Sequence, residues 1–290
     1  MSRIGEITSF ADGVTSHVDT GLVSVYLNRS VRLDVVLPKE YAGSDESFPV
    51  LYLNDGQDLE RLRMITVLNS LYHQKAIQPF ILVAIHCGDR IQEYGVAAKA
   101  DYLHRGAKAG LYADFVVHEL LPYVRKQYRV STDPEQSVFA GFSLGGLSAF
   151  DLVWHRPELF RKAGVFSGSF WWRQRGLNDG YSDDSDRIMH AQVRKTEPPV
   201  GSAFWFQTGT LDETDDRDHD GIIDSIADTL DLIAEVERRG FRWGRDVQYV
   251  EVKDGRHDPE TWGQVMPQFL TWAFARTLAR LPLNPLKGTS

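Results

Sequence analysis

The sequence predicts an α/β fold built on one mostly parallel, doubly wound sheet with antiparallel strands at its N-terminal side. Three observations predict it. Short apolar runs alternate with segments of helical apolar spacing from residue 48 onward, the β-α rhythm of a parallel sheet. Two further apolar runs, 23–27 and 31–37, precede that alternation. In the middle of the chain, Gly141-Phe142-Ser143-Leu144-Gly145-Gly146 sits between an apolar run and a helical pattern, the strand–turn–helix context of a G-x-S-x-G elbow.

Taken in order, the run 31–37 ends at Pro38, and a polar loop with Gly43, Ser44, Asp45 and Glu46 leads to a strand over 48–53. Asp58 is placed to cap a helix carrying Leu62, Ile65, Leu68 and Leu71. Residues 80–85 read as a central parallel strand, followed by a polar loop too long for a simple βα connection. A helix over about 111–126 contains Pro122, which predicts a kink or break. The elbow strand (137–140) and its helix follow, closing at Arg156-Pro157. Residues 163–172 read as a strand running into an aromatic loop. The polar, acidic stretch at about 173–199 reads as a lid or cap inside a single domain spanning 1–281. A strand over 203–208, an acid-rich loop (212–224), a helix over 226–239 ending at Gly240, a last strand over 248–252 and a helical segment starting afresh near Pro267 and carrying Phe269 to Leu278 complete the pattern. A frayed tail is expected over 282–290.

Composition removes several classes. A net charge of -8 without a basic patch argues against a nucleic-acid partner. No run approaches the ~18 apolar residues needed to cross a bilayer, so no membrane partner is expected. The first residues lack the apolar core of a secretory signal, and the single cysteine, Cys87, rules out an intramolecular disulfide. Both suit a reducing compartment, and a cytoplasmic location is the expectation.

The elbow directs the search for chemistry. A serine on so tight a turn needs glycine neighbours, because Cβ atoms there would collide with the adjoining strand and helix. Its hydroxyl then stands at a helix N-terminus, where backbone N–H groups favour a developing oxyanion. A serine nucleophile needs a base, a group orienting that base, and an oxyanion hole. The base is expected after the last strand, where His257 stands; His86, which also ends a strand, is the rival. The orienting carboxylate is expected in the loop after 203–208: Asp212 first, Glu213 as runner-up, since one residue of loop path would exchange them. The oxyanion donors are expected to be the N–H groups of Leu144 and of Gln57, the latter beside Gly56. Trp171 and Trp172 are candidates for lining a substrate pocket and equally for supporting their loop, and Arg90 for binding a polar substrate, although ion pairing within its own loop is the stronger reading of Arg90.

At this point the chain resembles a known family. Leu51-Tyr52-Leu53-Asn54-Asp55-Gly56-Gln57-Asp58, Arg90 with Glu93-Tyr94, Asp101-Tyr102 with Arg105-Gly106, Gly141 to Gly146, Ser169-Phe170-Trp171-Trp172, and Gly255 and His257 with Trp262 occur in one order over about 31–274. This set resembles the putative-esterase (esterase D / enterochelin-esterase-like) family of α/β-hydrolases. The resemblance implies the α/β-hydrolase fold and a serine ester hydrolase using Ser143, His257 and an acid after Gly209, with no cofactor needed for the chemistry. The family includes siderophore esterases, feruloyl and acetyl-xylan esterases, S-formylglutathione hydrolases and mycolyltransferases. It therefore implies a small-molecule ester substrate without choosing one.

One feature lies outside that pattern. Asp216-Arg217-Asp218-His219-Asp220-Gly221-Ile222-Ile223-Asp224 follows the first nine positions of an EF-hand-type loop, with Asp216, Asp218, Asp220, the Ile222 carbonyl and Asp224 as candidate calcium ligands. The twelfth position is Ala227, so the bidentate glutamate is missing. The competing reading is a solvated acidic loop at a helix start. The functional expectation is thus a carboxylic-ester hydrolase with an acyl-enzyme. An acyltransferase using the same intermediate, or a non-catalytic binding module on the same fold, are the alternatives.

Overall fold

The structure, a computed structural model, describes residues 4–9 and 13–276. Nine strands form one sheet in the order β1-β2-β3-β5-β4-β6-β7-β8-β9. β1 (Ile4–Ser9), β2 (Val14–Ser24) and β3 (Arg29–Pro38) are antiparallel, and β3 also meets β5 antiparallel. β4 (Val50–Asn54), β5 (Ile81–Ile85), β6 (Ser137–Phe142), β7 (Lys162–Phe166), β8 (Ala203–Leu211) and β9 (Val247–Arg256) are parallel. The helices are α1 (Met64–His73), α2 (Arg90–Glu93), α3 (Ala109–Phe115), α4 (Leu121–Gln127), α5 (Leu144–His155), α6 (Asp183–Asp186), α7 (Ile188–Lys195), α8 (Asp224–Arg238) and α9 (Pro259–Phe274). No helix among the described residues is long and apolar enough to cross a membrane.

The central strands are buried on both faces, and their alternation divides the core. Val50, Tyr52, Ile81 and Val83 face the layer formed by α3, α4, α5, α7 and α8. Leu51, Leu53, Leu82 and Ala84 face α1 and α9. This two-sided burial explains why these strands read as continuous apolar runs.

Several boundaries differ from the expectation. The run 23–27 is only partly strand: Val23 and Ser24 end β2, and the β2–β3 hairpin turns over 25–28, with Asn28 at a φ of 51°. Asp58 lies in a 3-10 turn and does not cap α1, which starts at Met64 after Arg63 adopts a left-handed φ of 53°. Pro122 does interrupt its helix: Val116–Leu120 form a π-turn between α3 and α4, absorbing the hydrogen bond that proline cannot donate. The last helix does not restart at Pro267. It begins at Pro259, capped by Asp258, whose carboxylate accepts from Thr261 N–H at 2.8 Å, and it runs through Pro267. Leu278, the domain end at 281 and the tail 282–290 lie outside the described residues.

The stretch 173–199 contains α6 and α7 and is bound to α8 by a largely buried ion cluster. Arg187 pairs with Asp228 at 2.8 Å and with Asp231 at 2.8 Å, while Arg217 reaches Asp183 at 2.9 Å and Asp224 at 3.2 Å. Asp228 also pairs with Arg217, so one buried carboxylate serves two guanidinium groups. Removing it would leave two cations without their shared partner.

Candidate active site

The β6–α5 turn is held by glycines. A Cβ on Gly141 would run into the Gly145 carbonyl, and one on Gly146 would come within 3.0 Å of the Gly141 oxygen. Between them Ser143 sits at φ 54° and ψ -120°, a strained conformation for a side-chain-bearing residue. Its N–H donates to the Phe166 carbonyl at 2.8 Å, which ties the strained turn to β7. Leu144 is the first residue of α5, so its N–H has no partner within the helix.

The turn after β4 packs directly on this elbow. Asn54, fully buried, donates from Nδ2 to the Gly145 carbonyl at 2.8 Å and accepts from the Tyr112 hydroxyl. Asp55 takes a left-handed φ of 61°, and a Cβ on Gly145 would lie only 2.8 Å from its Oδ2. Gly56 presses against the Ala84 main chain, where a Cβ would stand at 2.8 Å. This brings the Gln57 turn alongside the elbow. The Gln57 side chain is engaged within its own neighbourhood, donating to Asp55 Oδ1 at 2.9 Å and accepting from Cys87 N–H.

Arg90 is built into the same unit. Its Nε and Nη2 grip the two Asp55 oxygens at 2.9 and 3.0 Å, and Nη2 also donates to the Phe142 carbonyl at 3.0 Å. That carbonyl immediately precedes Ser143. The guanidinium therefore braces the elbow while remaining about one third exposed. Neither Asn54 nor Asp55 was assigned a role from sequence, where they look like ordinary turn residues; the cue available was an Asn-Asp-Gly run directly after a buried strand.

His257 and Asp212 are brought together by two glycines at the ends of β8 and β9. A Cβ on Gly209 would collide with the Gly255 carbonyl and approach Asp212 Oδ1 at 2.8 Å. The close approach lets the acid loop meet the histidine loop. Asp212 Oδ2 accepts from Gly209 N–H at 2.9 Å, whereas its buried Oδ1 has no hydrogen-bond partner among the described residues. Burial raises the Asp212 pKa; the Gly209 N–H, the Ser167 hydroxyl and His257 oppose the rise. The His257 ring packs edge-on against Trp262 at 5.3 Å, and the Trp262 indole donates to Ser167 Oγ at 2.9 Å. His257 is exposed overall; desolvation where it packs lowers its pKa from the ordinary 6.5, Asp212 opposes this, and the Arg90 charge reinforces it. Trp262 also stacks on Phe142, the residue before Ser143, with ring centroids 4.8 Å apart, so the His257 loop packs against the base of the elbow. No direct hydrogen bond joins His257 to Ser143 or to Asp212 among the described residues; the Ser143 hydroxyl instead meets Ser169.

Glu213 goes elsewhere. Its carboxyl is pushed up to about 7 by burial, with Ser225 N–H opposing and Asp224, Asp215 and Asp228 reinforcing. Those neighbours belong to the start of α8 or the loop before it, and His257 is not among them. His86 pairs with Asp34 of β3 at 2.9 Å, on a groove of about 700 Å3 beyond the Gln57 turn.

The two tryptophans separate. Trp172 is fully buried, donates to the Lys99 carbonyl at 3.3 Å and fills the space over Gly95 and Gly106, where Cβ atoms would come within 2.9 and 2.6 Å of its ring. It supports the loop and has no surface left for a substrate, which corrects its assignment as a pocket residue. Trp171 is half-buried with the Arg105 guanidinium 4.7 Å above its ring. Trp172→Ala is expected to lower stability by about 3–5 kcal/mol, read as a lower denaturant midpoint; an unchanged midpoint would contradict this packing role.

In the acidic loop, carboxylate oxygens of Asp216, Asp218 and Asp220 lie within 4.8 Å of one another. Asp224 is drawn away from them: it accepts from Arg217 N–H at 3.0 Å and pairs with the Arg217 side chain. Asp216 accepts from the Asp220 and Gly221 N–H groups. The loop thus fits a cation with three of its four carboxylates and lacks the twelfth-position ligand.

Comparison with known proteins agrees with this architecture. Ferulic acid esterase superposes over 90% of this chain and 98% of its own with a TM-score of 0.67 at 21% identity. The enterobactin esterase of Shigella flexneri, solved with enterobactin, covers 93% of this chain and 60% of its own with a TM-score of 0.69 at 21% identity. These likenesses establish a fold of the α/β-hydrolase type. Among curated sequences, the iron(III) enterobactin esterase of Escherichia coli K12 is 36% identical over 135 residues, 45% of this chain and 31% of that protein. The Bacillus subtilis protein YbbA is 27% identical over 156 residues, 52% of this chain and 62% of that protein. The chain spans less than two thirds of the length of either relative. Residues 24–273 match the "Putative esterase" family, and the chain belongs to that family.

Proposed function

We propose that the protein is a serine carboxylic-ester hydrolase that works through an acyl-enzyme on Ser143. The observation that carries this reading is the strained Ser143 turn at the N-terminus of α5; the Gly209–Gly255 contact, which draws the Asp212 loop to the His257 loop, and the packing of His257 on Trp262 support it. His257 accepts the Ser143 proton as Oγ attacks the ester carbonyl. The orphan Asp212 Oδ1 is the acceptor available to the far side of the imidazole, which would fix its tautomer and stabilise its charged form. The N–H groups of Leu144 and Gln57 are the oxyanion donors; removing one such donor typically costs about 100-fold. Protonated His257 then hands its proton to the departing alcohol, and water repeats the sequence to free the acid.

The names of the relatives, enterobactin esterases and ferulic acid esterase, support a small-molecule ester as substrate. Every step uses side chains and backbone donors, and calcium, where the acidic loop holds it, acts on the position of that loop alone.

Hydrolysis of chromogenic aryl esters tests the reading. Because His257 must be neutral to act as base and its pKa lies below 6.5, kcat/KM should be full at neutral pH and fall only as pH drops through an inflection below 6.5. Absence of hydrolysis across a panel of acyl lengths, or an acid limb centred above 6.5, would contradict it.

A further inference from the structure

The hydroxyl nearest the Ser143 hydroxyl belongs to another serine. Ser143 Oγ lies 3.1 Å from Ser169 Oγ, in the loop after β7. Ser169 is 1% exposed. Its main chain is fixed from both sides: its N–H donates to the Ser143 carbonyl at 3.2 Å, and its carbonyl accepts from Trp172 N–H at 3.2 Å. Trp172 is itself enclosed, being fully buried over Gly95 and Gly106. Among the described residues the Ser169 hydroxyl has no hydrogen-bond partner other than Ser143. It is therefore a buried hydroxyl, held by backbone hydrogen bonds on both sides, with Ser143 as its one partner among the described residues.

We propose that Ser169 is a catalytic residue that donates a hydrogen bond to Ser143 Oγ when that oxygen leaves the acyl group in deacylation. The proposal rests on the reading of Ser143 as nucleophile. In deacylation, water adds to the acyl carbon and its proton passes to His257. As the tetrahedral intermediate collapses, the carbon–Oγ bond breaks and its electron pair stays on Oγ. The proton then moves from His257 to Oγ, restoring the Ser143 hydroxyl and releasing the carboxylic acid. Ser169 keeps its own proton throughout, and its O–H points at Oγ while negative charge develops there. In acylation the same contact has opposing effects. It stabilises alkoxide character on Oγ but withdraws electron density from the attacking atom, so its net influence on that step is small. Truncation should thus separate two steps that general damage to the elbow would slow together.

Single-turnover kinetics with excess full-length protein and an aryl ester read both steps, phenolate release reporting acylation and decay of the acyl-protein mass reporting deacylation. Ser169→Ala is expected to slow deacylation by about 10- to 100-fold, with acylation and capture by a fluorophosphonate within about threefold of the native protein. Ser169→Cys keeps the buried volume but offers only a weak donor, so it should show a smaller deacylation defect with the same selectivity. Equal slowing of both steps in the two variants, or unchanged deacylation in either, would overturn the proposal. If the native protein forms no acyl adduct and is not captured by the fluorophosphonate, the esterase reading itself fails and takes this inference with it; capture together with normal deacylation in Ser169→Ala removes this inference alone.

Discussion

Ser143→Ala is expected to lower kcat for aryl-ester hydrolysis by about 10^4-fold or more while leaving the fold intact. The size follows from what the residue supplies. Without Oγ no acyl-enzyme can form, and what remains is the catalysis provided by binding and by the oxyanion donors alone. The fold should survive because the turn is held by other means. Glycines occupy positions 141, 145 and 146, the Ser143 N–H bond to Phe166 belongs to the backbone, and Arg90 holds the preceding carbonyl. Alanine meets the same strained φ that serine already bears. A variant with the native melting temperature and activity within tenfold of native would refute the nucleophile assignment.

Asp212→Asn should lower kcat by about 10^3- to 10^4-fold, with Glu213→Gln changing it by less than about fivefold. The two acids are adjacent in sequence, but the loop turns them to opposite partners. Asp212 accepts from Gly209 N–H and is within electrostatic reach of His257, whereas the Glu213 carboxyl answers to Ser225 N–H and the acids at the start of α8. The Asp212 charge also holds the His257 pKa up against burial, so the residual activity of Asp212→Asn should show an acid limb displaced to still lower pH. A large loss in Glu213→Gln with little in Asp212→Asn, measured on variants of equal stability, would exchange their roles.

Much of the scaffold was legible in the chain because its central strands are buried on both faces and so appear as unbroken apolar runs. The elbow was legible for a steric reason: the glycine spacing around Ser143 answers to contacts that no other residue permits. The choice between Asp212 and Glu213 was not legible, since it depends on a turn in which the Gly209–Gly255 approach sets the path. Trp172 illustrates the same limit. An aromatic pair after a strand suits a pocket or a loop support equally, and only the positions of Gly95 and Gly106 show which tryptophan is enclosed. The strand expected over 23–27 runs out at Ser24 because Val25 is an exposed valine at the hairpin tip, where apolar character does not report burial. Ser169 and Asp55 stood within motifs the sequence displayed, but the roles of their side chains were not legible, because those depend on side-chain direction across elements far apart in sequence.

The most direct test of the account is the mass of the protein quenched within milliseconds of mixing with an aryl ester. An acyl-enzyme mechanism predicts a transient adduct of one acyl group per chain, mapped to the peptide containing Ser143 and absent from Ser143→Ala. Turnover without any adduct in the native protein or in a slow-deacylating variant, or an adduct mapped to another residue, would contradict it.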